Sequence, residues 1–264
     1  MKYVLGLLAA TAWAVPLAAQ VDYRNLDDDR PLRVEDAYPV ERFAFELILP
    51  SFAAFERGGA GHYGVVPELS FGILPGAALG VKLPVAGTWG DASDRFGLAG
   101  ARAFLFVNLA RETPSLPGLA VRLDATAPLG GELAGEGGAA SIKGVATRSF
   151  GRQRVHLNAA WGFITPDIPG AVEPVPRWWA GAAVDRTLFR NSTLLLAGIS
   201  AVAGEDEVET RWEGSLGLRR QVTPTLVLDA GVAGRLAGAG ERFAFTLGFT
   251  HAFAIAGLMP GVAK

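Results

Sequence analysis

The chain has 264 residues, no cysteine and a formal net charge of −2, which excludes a disulfide framework, a thiolate nucleophile, a Cys-type metal site and a basic nucleic-acid footprint. Only 19% of the residues are charged, against about a quarter in an average domain, and 34 are glycine. That balance suits many strands and tight turns in one large all-β domain.

Residues 1–20, MKYVLGLLAATAWAVPLAAQ, read as a secretory signal peptide. Lys2 supplies the positive start, residues 3–15 the apolar core, and Ala18 and Ala19 the small residues near a cleavage point. Residues 21–40 are charged and aperiodic, and read as a periplasmic N-terminal arm or short plug. Period-two alternation then fills residues 41–254 with no linker, and residues 255–264 form a C-terminal tail.

The first predicted strand, RFAFELILP at 42–50, sets Phe43, Phe45, Leu47 and Leu49 opposite Arg42, Ala44 and Glu46. Strands at 62–74 and 77–85 meet across Pro75-Gly76. Further strands follow at 96–110, 118–130, 140–150, 154–164, 178–189, 193–203, 208–220, 225–236 and 242–253. About twelve strands of roughly ten residues have the length that crosses a bilayer at a barrel tilt. The connections alternate between tight turns (PG, GR, RN, VTP, with a longer RETPSLPG) and loops that are mostly longer and rich in glycine or acid. Short periplasmic turns opposite longer outer loops are the pattern of an outer-membrane barrel.

The stretch GLAVRLDATAPLG, residues 118–130, shows the two faces. Leu119, Val121 and Leu123 fall on an oily side, Arg122 and Asp124 on a polar one. In the seven cleanest strands no charge falls on the oily face within the span; Arg42, Glu46, Lys82, Arg122, Asp124, Arg154, Glu209, Arg211, Glu213, Arg219, Asp229, Arg235 and Arg242 all fall on the other face. A charge at the lipid midplane costs roughly 2–4 kcal/mol for Arg or Lys, so its absence there is expected. A soluble sandwich also alternates, but its polar face would be rich in Lys, Glu and Ser. Here that face mixes Gly, Ala and Thr with both charge signs, which suits a narrow lumen. The expected fold is a transmembrane antiparallel up-and-down β-barrel of about twelve strands. One rival is a helix within the uncharged run from Phe243 to Ala263. FAFTLGFTHAF alternates at period two, and Thr246, Thr250 and Pro260 suit a membrane helix poorly, so a strand is expected.

Four stretches resemble the outer-membrane channel family named for a phenol-degradation (meta-pathway) gene product: PELSFGILPGAALGVKLPV, GLAGARAFLFVNL, LAVRLDATAPLG and the His-x-Asn strand RVHLNAAWGF. They span roughly residues 41–165. The chain departs from the family where Gly100-Ala101 stands in place of Gly-Asp, and in its loops. The resemblance implies passage of small compounds, aromatic ones among them, across the outer membrane.

Enzymatic chemistry is not expected. A barrel phospholipase needs Ser, His and Asn together on the outer wall. His156 has no serine beside it and points into the lumen by parity, and His251 shares the lipid-facing parity of Phe249 and Phe253. No metal or cofactor is expected; the acid run Glu205-Asp206-Glu207 reads as a solvated loop tip. Trp161, Trp178, Trp179 and Trp212 read as an interfacial girdle.

The lumen-lining candidates for selectivity are Glu46, Glu68, Lys82, Arg102, Arg122, Asp124, Lys143, Arg154, His156, Arg211, Glu213 and Asp229. If separated, these charges set a transverse field across a pore; if paired, they fill and close it. The reading is a passive outer-membrane channel for small molecules, aromatic or hydrophobic ones among them. The alternative is a closed structural or interaction barrel of the cell envelope. The expected partners are outer-membrane lipid, lipopolysaccharide, the barrel-assembly machinery and an unidentified small-molecule cargo, with no nucleic acid.

Overall fold

A computed structural model describes residues 20–56, 58–90, 94–129, 133–134, 137–164, 176–189, 192–203, 209–255 and 258. The leader, the 205–207 acid run and most of the tail lie outside the described residues.

Strand segments run in chain order as β1 Ala44–Phe55, β2 Gly61–Val65, β3 Glu68–Leu74, β4 Ala77–Lys82, β5 Val85–Trp89, β6 Phe96–Leu98, β7 Ala101–Ala110, β8 Gly118–Ala127, β9 Ala139–Phe150, β10 Gln153–Ile164, β11 Trp178–Leu188, β12 Thr193–Ala203, β13 Thr210–Thr223, β14 Leu226–Ala237 and β15 Phe243–Ala254. All the pairings between them are antiparallel. β15 returns to β1 along its whole length, from Ala44 opposite Ala254 to Phe55 opposite Phe243. β2 with β3, β4 with β5 and β6 with β7 are each one crossing strand in two segments, so the barrel has twelve strands. The uncharged run from Phe243 is a strand as far as Ala254.

The first two interruptions share one cause. Val66 N–H donates to Pro50 (2.9 Å), Leu83 N–H to Pro67 (3.0 Å) and Ala99 N–H to Pro84 (2.8 Å). None of these prolines has an N–H with which to return the bond. The third interruption is a bulge. Lys82 faces Arg102 on one side of it and Val85 faces Leu98 on the other, which leaves one extra residue around Gly100, whose φ is +100°.

Strand parity sorts the side chains as the alternation requires. On β8, Arg122 and Asp124 are buried inside, while Leu119 and Leu123 are exposed outside. Leu79, Val81, Leu157, Val184, Ile199, Leu216 and Leu247 extend that outer apolar band. Exposed aromatics mark both rims: Tyr63, Phe96, Trp161, Phe163 and Trp212 toward the long loops, Phe150 and Phe189 toward the short turns. Trp179 departs from the expected girdle. It follows Trp178 on β11, and neighbours on a strand face opposite sides, so Trp179 turns inward and lies buried beneath Lys143. Arg42, Glu209 and Arg242 also depart from expectation, because they precede β1, β13 and β15 and are exposed there instead of lining the wall.

The core sits in the lumen, and residues 21–41 supply much of it. Val21, Leu26, Leu32 and Val34 pack with Ala183, Leu194, Leu196, Val227 and Ala252. Ala37 packs with Phe104, Phe106, Ala120 and Val145. The segment starts at the turn end, where Val21 N–H donates to Pro224 (3.0 Å). It climbs to Pro31, seated against Gly217 and Gly231, and returns to the turn end, where Tyr38 lies over Gly118.

Candidate functional site

The barrel wall presents its charges inward, and the N-terminal segment meets them in three clusters. In the first, β4, β8 and β9 project Lys82, Arg122 and Lys143. Asp28 pairs with Lys82 at 2.9 Å, with Arg122 at 3.5 Å and closely with Lys143. Glu35 pairs with Arg122 at 2.9 Å and Lys143 at 2.8 Å. Wall acids complete the cluster: Glu68 meets Lys82 at 3.2 Å and Asp124 meets Arg122 at 3.1 Å. The Arg122 guanidinium also stacks 3.7 Å from the centre of the Phe104 ring.

In the second cluster the segment supplies the cation as well. Arg30 donates to Asp229 (2.9 Å), Asp27 (2.7 Å) and Thr250 (2.9 Å). Arg219 of β13 pairs with Asp27 at 2.7 Å and stands 3.8 Å from Asp229.

The third cluster joins β9, β10 and β11. Arg154 pairs with Asp36 at 2.9 Å and with Asp185 at 2.6 Å. His156 lies between Thr147 (3.0 Å) and Asp185 (2.9 Å). Thr147 Oγ1 in turn accepts from Ala37 N–H at 3.0 Å. Asn158 holds the backbone of Glu35 at both ends, accepting from its N–H (2.8 Å) and donating to its carbonyl (2.9 Å).

Burial raises each of the segment's buried carboxylates, and the cations beside them decide the outcome. Burial raises Asp28, but Lys143, Lys82 and Arg122 overcome it and hold the carboxyl well below the usual aspartate range. Asp27 is also held low, burial being outweighed by Arg219 and Arg30. Burial prevails at Glu35 and Asp36, which sit above their ordinary values in spite of Lys143 and Arg122 in one case and Arg154 in the other.

Of the residues singled out from sequence, Glu46, Glu68, Lys82, Arg122, Asp124, Lys143, Arg154, His156, Glu213 and Asp229 are buried on the lumen side. Arg102 and Arg211 are half-buried on the same side; Arg102 donates to Thr126 (3.3 Å) and Arg211 pairs with Glu213 (2.8 Å). Asp185, Arg219 and the partners at Asp27, Asp28, Arg30, Glu35 and Asp36 were not among those candidates. Parity alone marks Asp185 and Arg219 as inward; nothing periodic marks residues 27–36. A cavity of about 40 Å³ remains between the segment and Glu46, Glu68, Ser70 and Phe104, room for very few waters.

No family model matches the chain, and no curated protein matches it. Among solved structures it is similar to an outer-membrane channel from Pseudomonas putida F1, with 14% identity and a TM-score of 0.65 over 86% of this chain and 100% of that one. KdgM porin in complex with disordered oligogalacturonate has 9% identity and a TM-score of 0.53, over 80% of this chain and 99% of that one. NanC porin has 6% identity and a TM-score of 0.52, over 78% and 98%. At such identities the likeness is one of fold: this chain is a closed antiparallel twelve-strand β-barrel of the architecture found in outer-membrane channels and porins.

Proposed function

We propose that the chain is an outer-membrane channel for small molecules, aromatic or hydrophobic ones among them, held closed in this conformation by its own N-terminal segment. The observation that carries the reading is the convergence of Lys82, Arg122 and Lys143 from three wall strands on Asp28 and Glu35 of that segment. Passage then requires the segment to leave the lumen, which exposes a charge-lined bore whose selectivity is set by those wall residues. The apolar outer band and aromatic rims suit a lipid environment, with lipopolysaccharide beside the longer loops.

The test is single-channel recording in a planar bilayer, comparing the full chain with an Asp28→Asn, Glu35→Gln variant and with a variant lacking residues 21–40. The full chain is expected to stay mostly closed and both variants to conduct. The filled lumen also favours a second reading, a permanently closed structural barrel of the envelope. A folded barrel without residues 21–40 that passes no current supports that second reading and overturns the first.

A further inference from the structure

We propose that the cavity beside Glu46 binds a small monovalent cation, Na+ or K+, which ties the N-terminal segment to the wall. The site belongs to the filled lumen described above, and its test does not depend on conduction.

Glu46 stands apart from the other inward charges. It is 5% exposed and lines the cavity between segment and wall. Each other carboxylate around that cavity has partners. Asp27 meets Arg30 and Arg219, and Asp28 meets Lys82 and Lys143. Glu35 meets Arg122 and Lys143, and Glu68 meets Lys82 and Ser70. Among the described residues, Glu46 takes no hydrogen bond and no ion pair. A buried carboxylate is kept only where something answers it.

The balance of charge points the same way. In the first cluster Lys82, Arg122 and Lys143 face Asp28, Glu35, Glu68 and Asp124, three cations against four carboxylates. In the second, Arg30 and Arg219 balance Asp27 and Asp229. Glu46 lies within electrostatic reach of Asp27 and Arg219 in the second cluster and of Glu68 in the first. It adds one carboxylate to an interior already one cation short.

The register of the wall places the acids together. Across β1 and β3, Glu46 is opposite Ser70 and Ile48 is opposite Glu68, so the two glutamates are diagonal neighbours on the inner face. Like charges so placed repel, and a cation between them reverses the sign. Asn25, Asp27 and Asp28 of the segment line the same space. The cavity therefore offers oxygen donors from both the wall and the segment.

Size and donor set choose the ion. A cavity of about 40 Å³ admits an alkali cation with a little water and excludes an organic cation such as choline. Among the described residues no three carboxylates or histidines gather as a metal cage, so a divalent ion lacks its ligand set. A proton would neutralise Glu46, but would leave the cavity unfilled and the first cluster's excess carboxylate unanswered.

The test compares the full chain with Glu46→Gln in non-ionic detergent at neutral pH, in sodium chloride or in choline chloride of equal ionic strength. The thermal midpoint of the full chain is expected to rise saturably with Na+, by about 2–4 °C at roughly five times the dissociation constant, and choline to give no such rise. The sodium NMR line is expected to broaden in the presence of the full chain and to narrow again when K+ competes. Glu46→Gln, which keeps the shape and drops the charge, is expected to melt alike in both salts and to leave the line narrow. Equal midpoints for the full chain in the two salts overturn the site, and that arm needs no variant to fold. A sodium gain that persists in Glu46→Gln overturns it as well, by placing the ion elsewhere. In either case the bilayer recordings of the segment variants decide separately whether the channel reading stands.

Discussion

Asp28 is the residue on which the closed state turns, because it answers Lys82, Arg122 and Lys143 at once. Removing one partner from a buried ion cluster strands the others, at a cost of about 3–5 kcal/mol. Asp28→Asn is therefore expected to lower the thermal midpoint and raise the open probability; a melt in detergent and a bilayer recording check the two effects. The pH response follows from the shifts in the segment. A carboxylate held low when docked adds docking free energy above its free value, and loses it as pH falls through the docked one. Asp27 and Asp28 are of this kind. Glu35 and Asp36 are held high, so mild acid favours their docked form. Conductance is expected to stay low from neutral pH down to the ordinary aspartate value of 3.8, and to rise only below it. A pH series of bilayer recordings reads this directly; opening near neutral pH contradicts it. A third residue tests the seat of Pro31. A Cβ on Gly231 would collide with the Pro31 carbonyl and come within 2.7 Å of Thr246 Oγ1. Gly231→Ala is expected to unseat the segment and raise conductance while β14 keeps its pairing.

At the scale of the strand, the outer face admits apolar side chains and excludes charge. Leu123→Arg, on the exposed side of β8, is expected to destabilise the barrel by roughly 2–4 kcal/mol if it sits near the midplane. Denaturant titration of the barrel folded in lipid vesicles measures the loss, and an unchanged midpoint would argue that Leu123 does not face lipid. Period-two alternation made the strands legible. The stretch 62–74 reads straight through Pro67 because β2 and β3 keep one parity, with Val66 and Glu68 both inward. The interruption itself escapes such a reading, since a proline that loses one ladder bond leaves the pattern of faces untouched. The site was half legible. Wall residues such as Arg122 and Arg154 show their inward face by spacing. Their partners on residues 27–36 have no period, because contacts across the lumen hold them, as when Arg30 reaches Thr250 across 220 positions of sequence. Asp185 was obscured by the small residues around it in WWAGAAVDRTLF, which blur the contrast between the two faces.

For the whole molecule, wall and filling are separable. The ladder from β1 round to β15 closes on itself without residues 21–41. A chain lacking residues 21–40 is accordingly expected to keep its heat-modifiable migration on a gel while gaining conductance; loss of the folded band would show that the filling also holds the wall together. The reach of the segment carries a consequence for the wall. Arg30 is received by Asp229 and Thr250, on β14 and β15, whereas Asp28 and Glu35 are received by Lys82, Arg122 and Lys143, on β4, β8 and β9. One short segment thus ties together wall strands from opposite ends of the sequence, as a spoke set ties a rim.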